Sequence, residues 1–139
     1  MPSTELCTED DIVQLVHHFY RRVRQDNMLG PIFDTHINNW DEHLGRMVRF
    51  WSSLLLRAGT YSGTPMPKHI ALPDIEGHMF TRWLELFHLT TDEFDNPPFV
   101  EQANEYAHRV ARSLWYGYQI THNPDQTPVE FDHAQTDAH

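Results

Sequence analysis

Cysteine is almost absent from this chain, since Cys7 is the only one among 139 residues. A single cysteine excludes an intramolecular disulfide and therefore the class of small disulfide-scaffolded domains. No apolar run approaches the roughly 20 residues of a membrane-spanning helix. The N-terminus also lacks the basic start and apolar stretch of a signal peptide. We therefore expect a cytoplasmic protein with no membrane partner.

Positive charge is scarce as well. The chain has 10 Lys and Arg against 20 Asp and Glu, which gives a formal net charge of −10. Nucleic-acid binding needs a basic surface, and so does binding to an anionic membrane. Both classes of partner are excluded, and any anionic ligand must be met by a few local cations.

Strand patterns are missing, and apolar residues instead recur at intervals of three and four, which is typical of amphipathic helices. This periodicity predicts an all-α fold with four major helices and one short helical turn between the first two. The predicted helices cover about residues 10–26, 39–58, 74–95 and 99–120, and the short turn lies near 32–37. The organisation expected from composition is a flexible segment at 1–9, one domain at 10–122 and a polar, disordered tail at 123–139.

The segment 65–73 holds one histidine, His69, among three prolines. Proline fixes φ and cannot donate a backbone hydrogen bond, and the residue before each proline is kept out of the α region. The segment is therefore expected to be stiff and poor in helix, so that it can fix the direction of one imidazole. A neutral imidazole of this kind can bind a metal ion.

Three residues that can donate hydrogen bonds lie in apolar helical stripes, namely Tyr20, His43 and Trp83. Each one alone is explained by ordinary packing, because most buried polar groups are satisfied by the protein itself. Aromatic residues are nevertheless abundant, at 12% of the chain. A flat apolar cofactor such as haem, bound through one histidine with its other face open, would account for the rings and for His69 together.

Six blocks of sequence, taken in order, closely resemble the truncated haemoglobins of bacteria, and among them group III. The resemblance extends over about residues 10–120. The blocks are LVHHFY at 15–20, LGPIF at 29–33, WDEH at 40–43, FW at 50–51, YSGTPMPKH at 61–69 and FTRWLELF at 80–87.

The resemblance implies a globin-like, two-over-two helical sandwich that binds haem b. On this pattern His69 matches the proximal ligand of the haem iron. Tyr20, His43 and Trp83 match the residues of the distal side, where a diatomic ligand binds. Whether the His43 side chain points into or out of the pocket is left open by the sequence.

Further cofactor contacts are expected from the resemblance and, for the two cations, from their positions near His43 and His69. Met47 would face the ligand as an apolar wall, and Phe33 and Trp51 would pack at the haem edge. Arg46 and Lys68 are the local cations assigned to the anionic haem propionates.

The expected function is binding of dioxygen and other diatomic ligands (NO and CO) at a five-coordinate, histidine-ligated iron. Two distal hydrogen bonds would slow dioxygen release, which suits NO or oxidant detoxification and redox chemistry better than oxygen delivery. The sequence leaves NO dioxygenase and peroxidase-like activity open. It shows no dinucleotide-binding motif, so electrons would come from a separate, unidentified reductase.

Two alternatives are kept from other classes. The first is a non-haem metal protein with His43 and His69 among its ligands, and the second is a helical interaction module without a cofactor. A monomer is expected, because the exposed helix faces carry no second apolar stripe.

Overall fold

The computed structural model describes residues 6–56, 76–122 and 124–129. Within these ranges the chain forms helices and no strand, which confirms the all-α prediction. Lys68 and His69 lie outside the described residues. No described helix has the length and apolar character to cross a membrane. The helices are α1 (Glu9–Gln25), α2 (Leu29–His36), α3 (Trp40–Leu55), α4 (Gly77–Thr91) and α5 (Pro97–His122).

Helix α1 begins with a reciprocal cap. The Thr8 hydroxyl accepts a hydrogen bond from the Asp11 amide at 3.0 Å, and the Asp11 carboxylate accepts one from the Thr8 amide at 2.9 Å. This capping box satisfies backbone donors that a helix start otherwise leaves open. The buried face of α1 then follows the predicted spacing of three and four, with Ile12, Leu15, Val16, Phe19, Tyr20 and Val23.

Three helix starts differ from the prediction. Helix α2 begins at Leu29, three residues before the predicted turn, because Pro31 lies in its first turn, where a proline is tolerated. Helix α5 begins at Pro97, two residues before the predicted start, because prolines fit the first turn of a helix, where the amide has no intrahelical partner. The Asn96 side chain accepts a hydrogen bond from the Phe99 amide at 3.4 Å. Helix α4 begins at Gly77, later than predicted, because the backbone of Glu76 is extended.

The corner between α1 and α2 is fixed by Asp26. One carboxylate oxygen accepts hydrogen bonds from the amides of Met28 and Leu29, at 3.1 and 3.0 Å. The other oxygen accepts from Nε of Arg82 on α4 at 2.7 Å. The Asp26 side chain is only 4% exposed. A single carboxylate therefore holds the start of α2 and the middle of α4 against the end of α1.

This corner also requires a glycine. A Cβ atom at Gly30 would lie 2.6 Å from the carbonyl oxygen of Arg24, which is closer than real Cβ contacts allow. Helix α2 therefore approaches the backbone of α1 closely, and its side chains are directed to the same interior as those of α1.

We expect Asp26→Asn to lower the free energy of unfolding by about 1–2 kcal/mol at pH 7. Burial alone would raise the pKa of Asp26, but the hydrogen bond from Arg82, those from the two amides, and the Arg82 charge together lower this pKa below its ordinary value. A lowered pKa in the folded state gives stability that is present above the unfolded pKa and is lost as the pH falls through the folded one.

The difference in the free energy of unfolding between wild type and Asp26→Asn should therefore decrease as the pH falls below about 4. This difference is measured by urea unfolding at pH 7 and at acid pH, with circular dichroism as the signal. Asp125→Asn, an exposed substitution of the same chemistry, is the control and should match the wild type at both pH values. A difference for Asp26→Asn that is the same at every pH would contradict the charge-based role.

The helices pack as two pairs that contact each other. Helix α1 contacts α3 and α4 contacts α5, while α1 with α4 and α3 with α5 connect the pairs. Phe19 of α1 is buried at the crossing, and its ring meets Tyr20 at 4.9 Å, Trp83 at 5.1 Å and Phe87 at 5.2 Å, all in T-shaped geometry. The crossing therefore brings Tyr20 and Trp83, from different layers, to one side of the core.

Candidate ligand-binding site

A cavity lies between the two helix pairs. The empty space between its walls measures about 760 Å³, a volume that includes solvent at the opening. All five described helices contribute side chains, and these are almost entirely apolar or aromatic. The lining residues are Tyr20, Leu29, Ile32, Phe33, Met47, Phe50, Trp51, Met79, Phe80, Trp83, Val110, Ala111 and Leu114.

Tyr20 brings a hydroxyl group to this apolar space. Its side chain is 5% exposed, and its ring meets Phe33 at 6.0 Å and His43 at 5.1 Å in T-shaped geometry. Burial raises the pKa of the Tyr20 phenol well above its ordinary value. The phenol is therefore protonated at neutral pH and is able to donate a hydrogen bond.

Two tryptophans give the cavity flat walls. Trp83 stacks on Phe87 at 5.8 Å with planes 16° apart, and Trp51 stacks on the same ring at 5.1 Å with planes 26° apart. Phe87 is fully buried, so it supports both indoles from the core. Each indole offers an N–H donor, and the broad ring surfaces suit a planar apolar ligand.

The structure brings five of the predicted site residues to the cavity lining, namely Tyr20, Phe33, Met47, Trp51 and Trp83. Their specific roles toward a cofactor stay predictions.

Two other predicted residues lie close by but do not line the cavity. His43 is half-buried and packs edge-on against Tyr20. Arg46 is half-buried and pairs with Glu42 one turn earlier on α3, with 3.6 Å between NH2 and Oε2. The remaining two, Lys68 and His69, lie outside the described residues.

Eight lining residues were not singled out as site residues from the sequence. They are ordinary apolar side chains, and the sequence places them in the same stripes that form the core. The spacing of apolar residues along α3, α4 and α5 pointed inward for most of those on these helices, but spacing does not separate core from cavity, and Leu29 and Ile32 lie on the short α2. These residues are Leu29, Ile32, Phe50, Met79, Phe80, Val110, Ala111 and Leu114.

Over residues 6–56, 76–122 and 124–129, no group of three or more His, Cys, Asp or Glu side chains is arranged to hold a metal ion. The cavity is the site that the described helices build together, and a ligand in it would be held by ring surfaces, aliphatic side chains and a few hydrogen-bond donors.

Paired helices packed around an apolar cavity are compatible with the class of the globins. Comparison with known proteins gives the same class. No protein-family model matches the chain. A curated relative, the group 3 truncated hemoglobin ctb of Campylobacter jejuni, is 39% identical over 87 residues, which is 60% of this chain and 68% of the relative.

A solved structure agrees with this relative. The crystal structure of group III truncated hemoglobin from Campylobacter jejuni matches with a TM-score of 0.76 and 29% identity, over 88% of this chain and 98% of that one. The chain therefore belongs to the group III truncated haemoglobins. Both the predicted family and the predicted globin-like fold are confirmed.

Proposed function

We propose that the cavity holds haem b and that the chain binds dioxygen, NO and CO there. Membership in a haemoglobin family implies haem binding. The observation that supports this site is the composition of the lining: ten aliphatic, thioether or phenylalanine side chains and three donors, Tyr20, Trp51 and Trp83. This is the composition expected of a site that takes a large apolar ring and one small polar ligand.

The residues present fit this group. All five described helices contribute to the cavity, and its lining is almost entirely aromatic or aliphatic, as the linings of cofactor pockets are. When bound, the haem supplies an iron that binds diatomic gases. We propose His69 as the proximal ligand of that iron, with Arg46 and Lys68 near the propionates.

The opposite side of the cavity would receive the gas. Tyr20 is buried and protonated at neutral pH, and its hydroxyl would donate a hydrogen bond to such a ligand. Trp83 lines the same cavity and offers an indole N–H. Met47 presents an apolar surface that keeps water away from a small ligand. His43 packs on the edge of Tyr20 and is placed to influence its orientation.

Two donors on one small ligand would make its release slow. Slow release favours redox use of the ligand, such as removal of NO or oxidants, over oxygen delivery. We therefore propose a role of that kind, with electrons supplied by a separate reductase. We propose further that the protein works as a monomer in the cytoplasm.

Of the two alternatives, neither is favoured by the family. A non-haem metal protein and a cofactor-free interaction module would both leave the aromatic lining of the cavity without a ligand. Family membership and the lining composition both favour haem.

Filling the cavity tests this assignment. Ala111 is 1% exposed and lines the cavity, so Ala111→Phe should place a ring in the space that a cofactor needs. We expect haem affinity to fall at least about tenfold, the equivalent of about 1.4 kcal/mol, in a titration followed by absorbance. Ser113→Phe adds the same ring two residues away at an exposed position and is the matched control.

The control variant should take up haem like the wild type. Circular dichroism of both variants shows whether the helices are retained. A folded Ala111→Phe protein with wild-type haem affinity would contradict the placement of the cofactor in this cavity.

A further inference from the structure

Trp40, the first residue of α3, is held by two charged side chains from other helices. Its indole N–H donates a hydrogen bond to Oδ1 of Asp34 on α2 at 3.2 Å. The Arg24 guanidinium of α1 lies over the ring, with Cζ 4.4 Å from the centroid. Nε of Arg24 also approaches Oδ1 of Asp34 at 3.5 Å. We call this arrangement of Arg24, Asp34 and Trp40 the Trp40 clamp.

The inner side of the clamp touches the cavity donors. The Trp40 ring meets Tyr20 at 6.0 Å with planes 57° apart, and it meets His43 at 5.6 Å with planes 88° apart. Tyr20 and His43 meet each other at 5.1 Å, also nearly perpendicular. The three rings therefore contact one another in a triangle.

The exposed fraction of the side chains decreases from the clamp to the cavity. The side chains of Arg24 and Asp34 are 48% and 51% exposed, Trp40 is half-buried, and Tyr20 is 5% exposed. Trp40 itself is not among the lining residues of the cavity. It can therefore affect a ligand in the cavity only through the rings it supports.

The contacts on Trp40 differ in kind. Exposed ion pairs contribute little, about 0–1 kcal/mol. A cation over an indole adds about 0.5–1 kcal/mol at an exposed site. The hydrogen bond to the Asp34 carboxylate is of the stronger, charge-assisted kind. Together these contacts fix both the position and the rotation of one ring.

We propose that Trp40 is a positioning residue for the ligand-binding site, and that the clamp fixes the orientation in which the Tyr20 hydroxyl meets a ligand. This inference rests on the proposed function, because it takes the cavity as the site of gas binding. It adds a residue outside the cavity that sets the strength of a hydrogen bond inside it.

The test compares Trp40→Leu and Asp34→Ala in the wild type and in a Tyr20→Phe background. The readouts on haem-loaded protein are the dioxygen release rate and the C–O stretching frequency after carbon monoxide is added. We expect Trp40→Leu to speed release about fivefold or more in the wild type and less than about twofold in Tyr20→Phe, with Asp34→Ala giving a smaller effect of the same pattern.

Trp115→Phe is the control for loss of a large indole. Trp115 is buried on α5 and does not line the cavity, so its replacement should leave the stretching frequency unchanged. Equal effects of Trp40→Leu in both backgrounds would overturn the proposal, because Trp40 would then act without Tyr20. No effect in either background would overturn it too.

A second measurement needs no haem. Asp34→Ala and Trp40→Phe are combined in a double-mutant cycle of thermal unfolding, since Trp40→Phe keeps a ring and removes the donor. We expect Asp34→Ala to lower the unfolding midpoint in the wild type and to change it little in Trp40→Phe. Additive shifts of the unfolding midpoint would show that Asp34 and Trp40 are not coupled, and they would overturn the proposal. A wild type that takes up no haem would instead contradict the proposed function and leave this cycle interpretable.

Discussion

His69→Ala should abolish tight haem binding, and added imidazole should restore part of it. A proximal imidazole supplies the bond between the protein and the iron, whereas the apolar lining holds only the ring. We expect the haem affinity to fall by about two orders of magnitude, the equivalent of about 3 kcal/mol. Absorbance titration with haem, with and without imidazole, measures the loss and the rescue.

The matched control is His88→Ala. His88 is exposed on α4, so its replacement should leave haem affinity and spectrum as in the wild type. A His69→Ala protein that binds haem with wild-type affinity and an unchanged spectrum would show that another residue ligates the iron. The assignment of His69 would then be wrong even if the cavity still binds haem.

The second large effect is expected for Tyr20→Phe. The hydroxyl is the only group this substitution removes, and the Tyr20 ring contacts with Phe19, Phe33 and His43 can all be kept. A hydrogen bond to a charged or partly charged ligand contributes about 1.5–3 kcal/mol, so dioxygen release should be about 10- to 150-fold faster. Stopped-flow replacement of dioxygen by carbon monoxide measures this rate.

Two further variants test whether faster release comes from the loss of a hydrogen bond in the cavity. Trp83→Phe removes the second donor, and it should speed release by a similar or smaller factor. Tyr106→Phe removes a hydroxyl from a half-buried tyrosine of α5 that does not line the cavity, so its release rate should match the wild type. Wild-type release rates in both Tyr20→Phe and Trp83→Phe would contradict hydrogen bonding by these donors.

Much of the site could be predicted from the sequence because its donors lie in regular helical stripes. Tyr20 follows Phe19 on the apolar face of α1, and Trp83 lies in the stripe of α4. Periodicity predicts that such residues face the interior. The resemblance to a known family implies that both face the same ligand site. Both side chains line the cavity, and their roles toward a ligand stay predictions.

The contacts that hold the site could not be predicted in the same way. Asp26 and Arg82 are 56 residues apart, and their hydrogen bond depends on how α1 crosses α4. The Trp40 clamp likewise joins three helices whose relative packing no local pattern specifies. From the sequence alone, charged residues such as these are interpreted as solvated surface groups, because their partners depend on how the helices pack.

We propose above all that this cavity binds haem with one face open to a gas. The most direct test is an absorbance titration of the wild-type protein with haem, followed by reduction and addition of carbon monoxide. We predict an intense Soret band that saturates at one haem per chain and shifts fully when carbon monoxide binds. No saturable uptake of haem, or a Soret band that carbon monoxide leaves unchanged, would contradict the account.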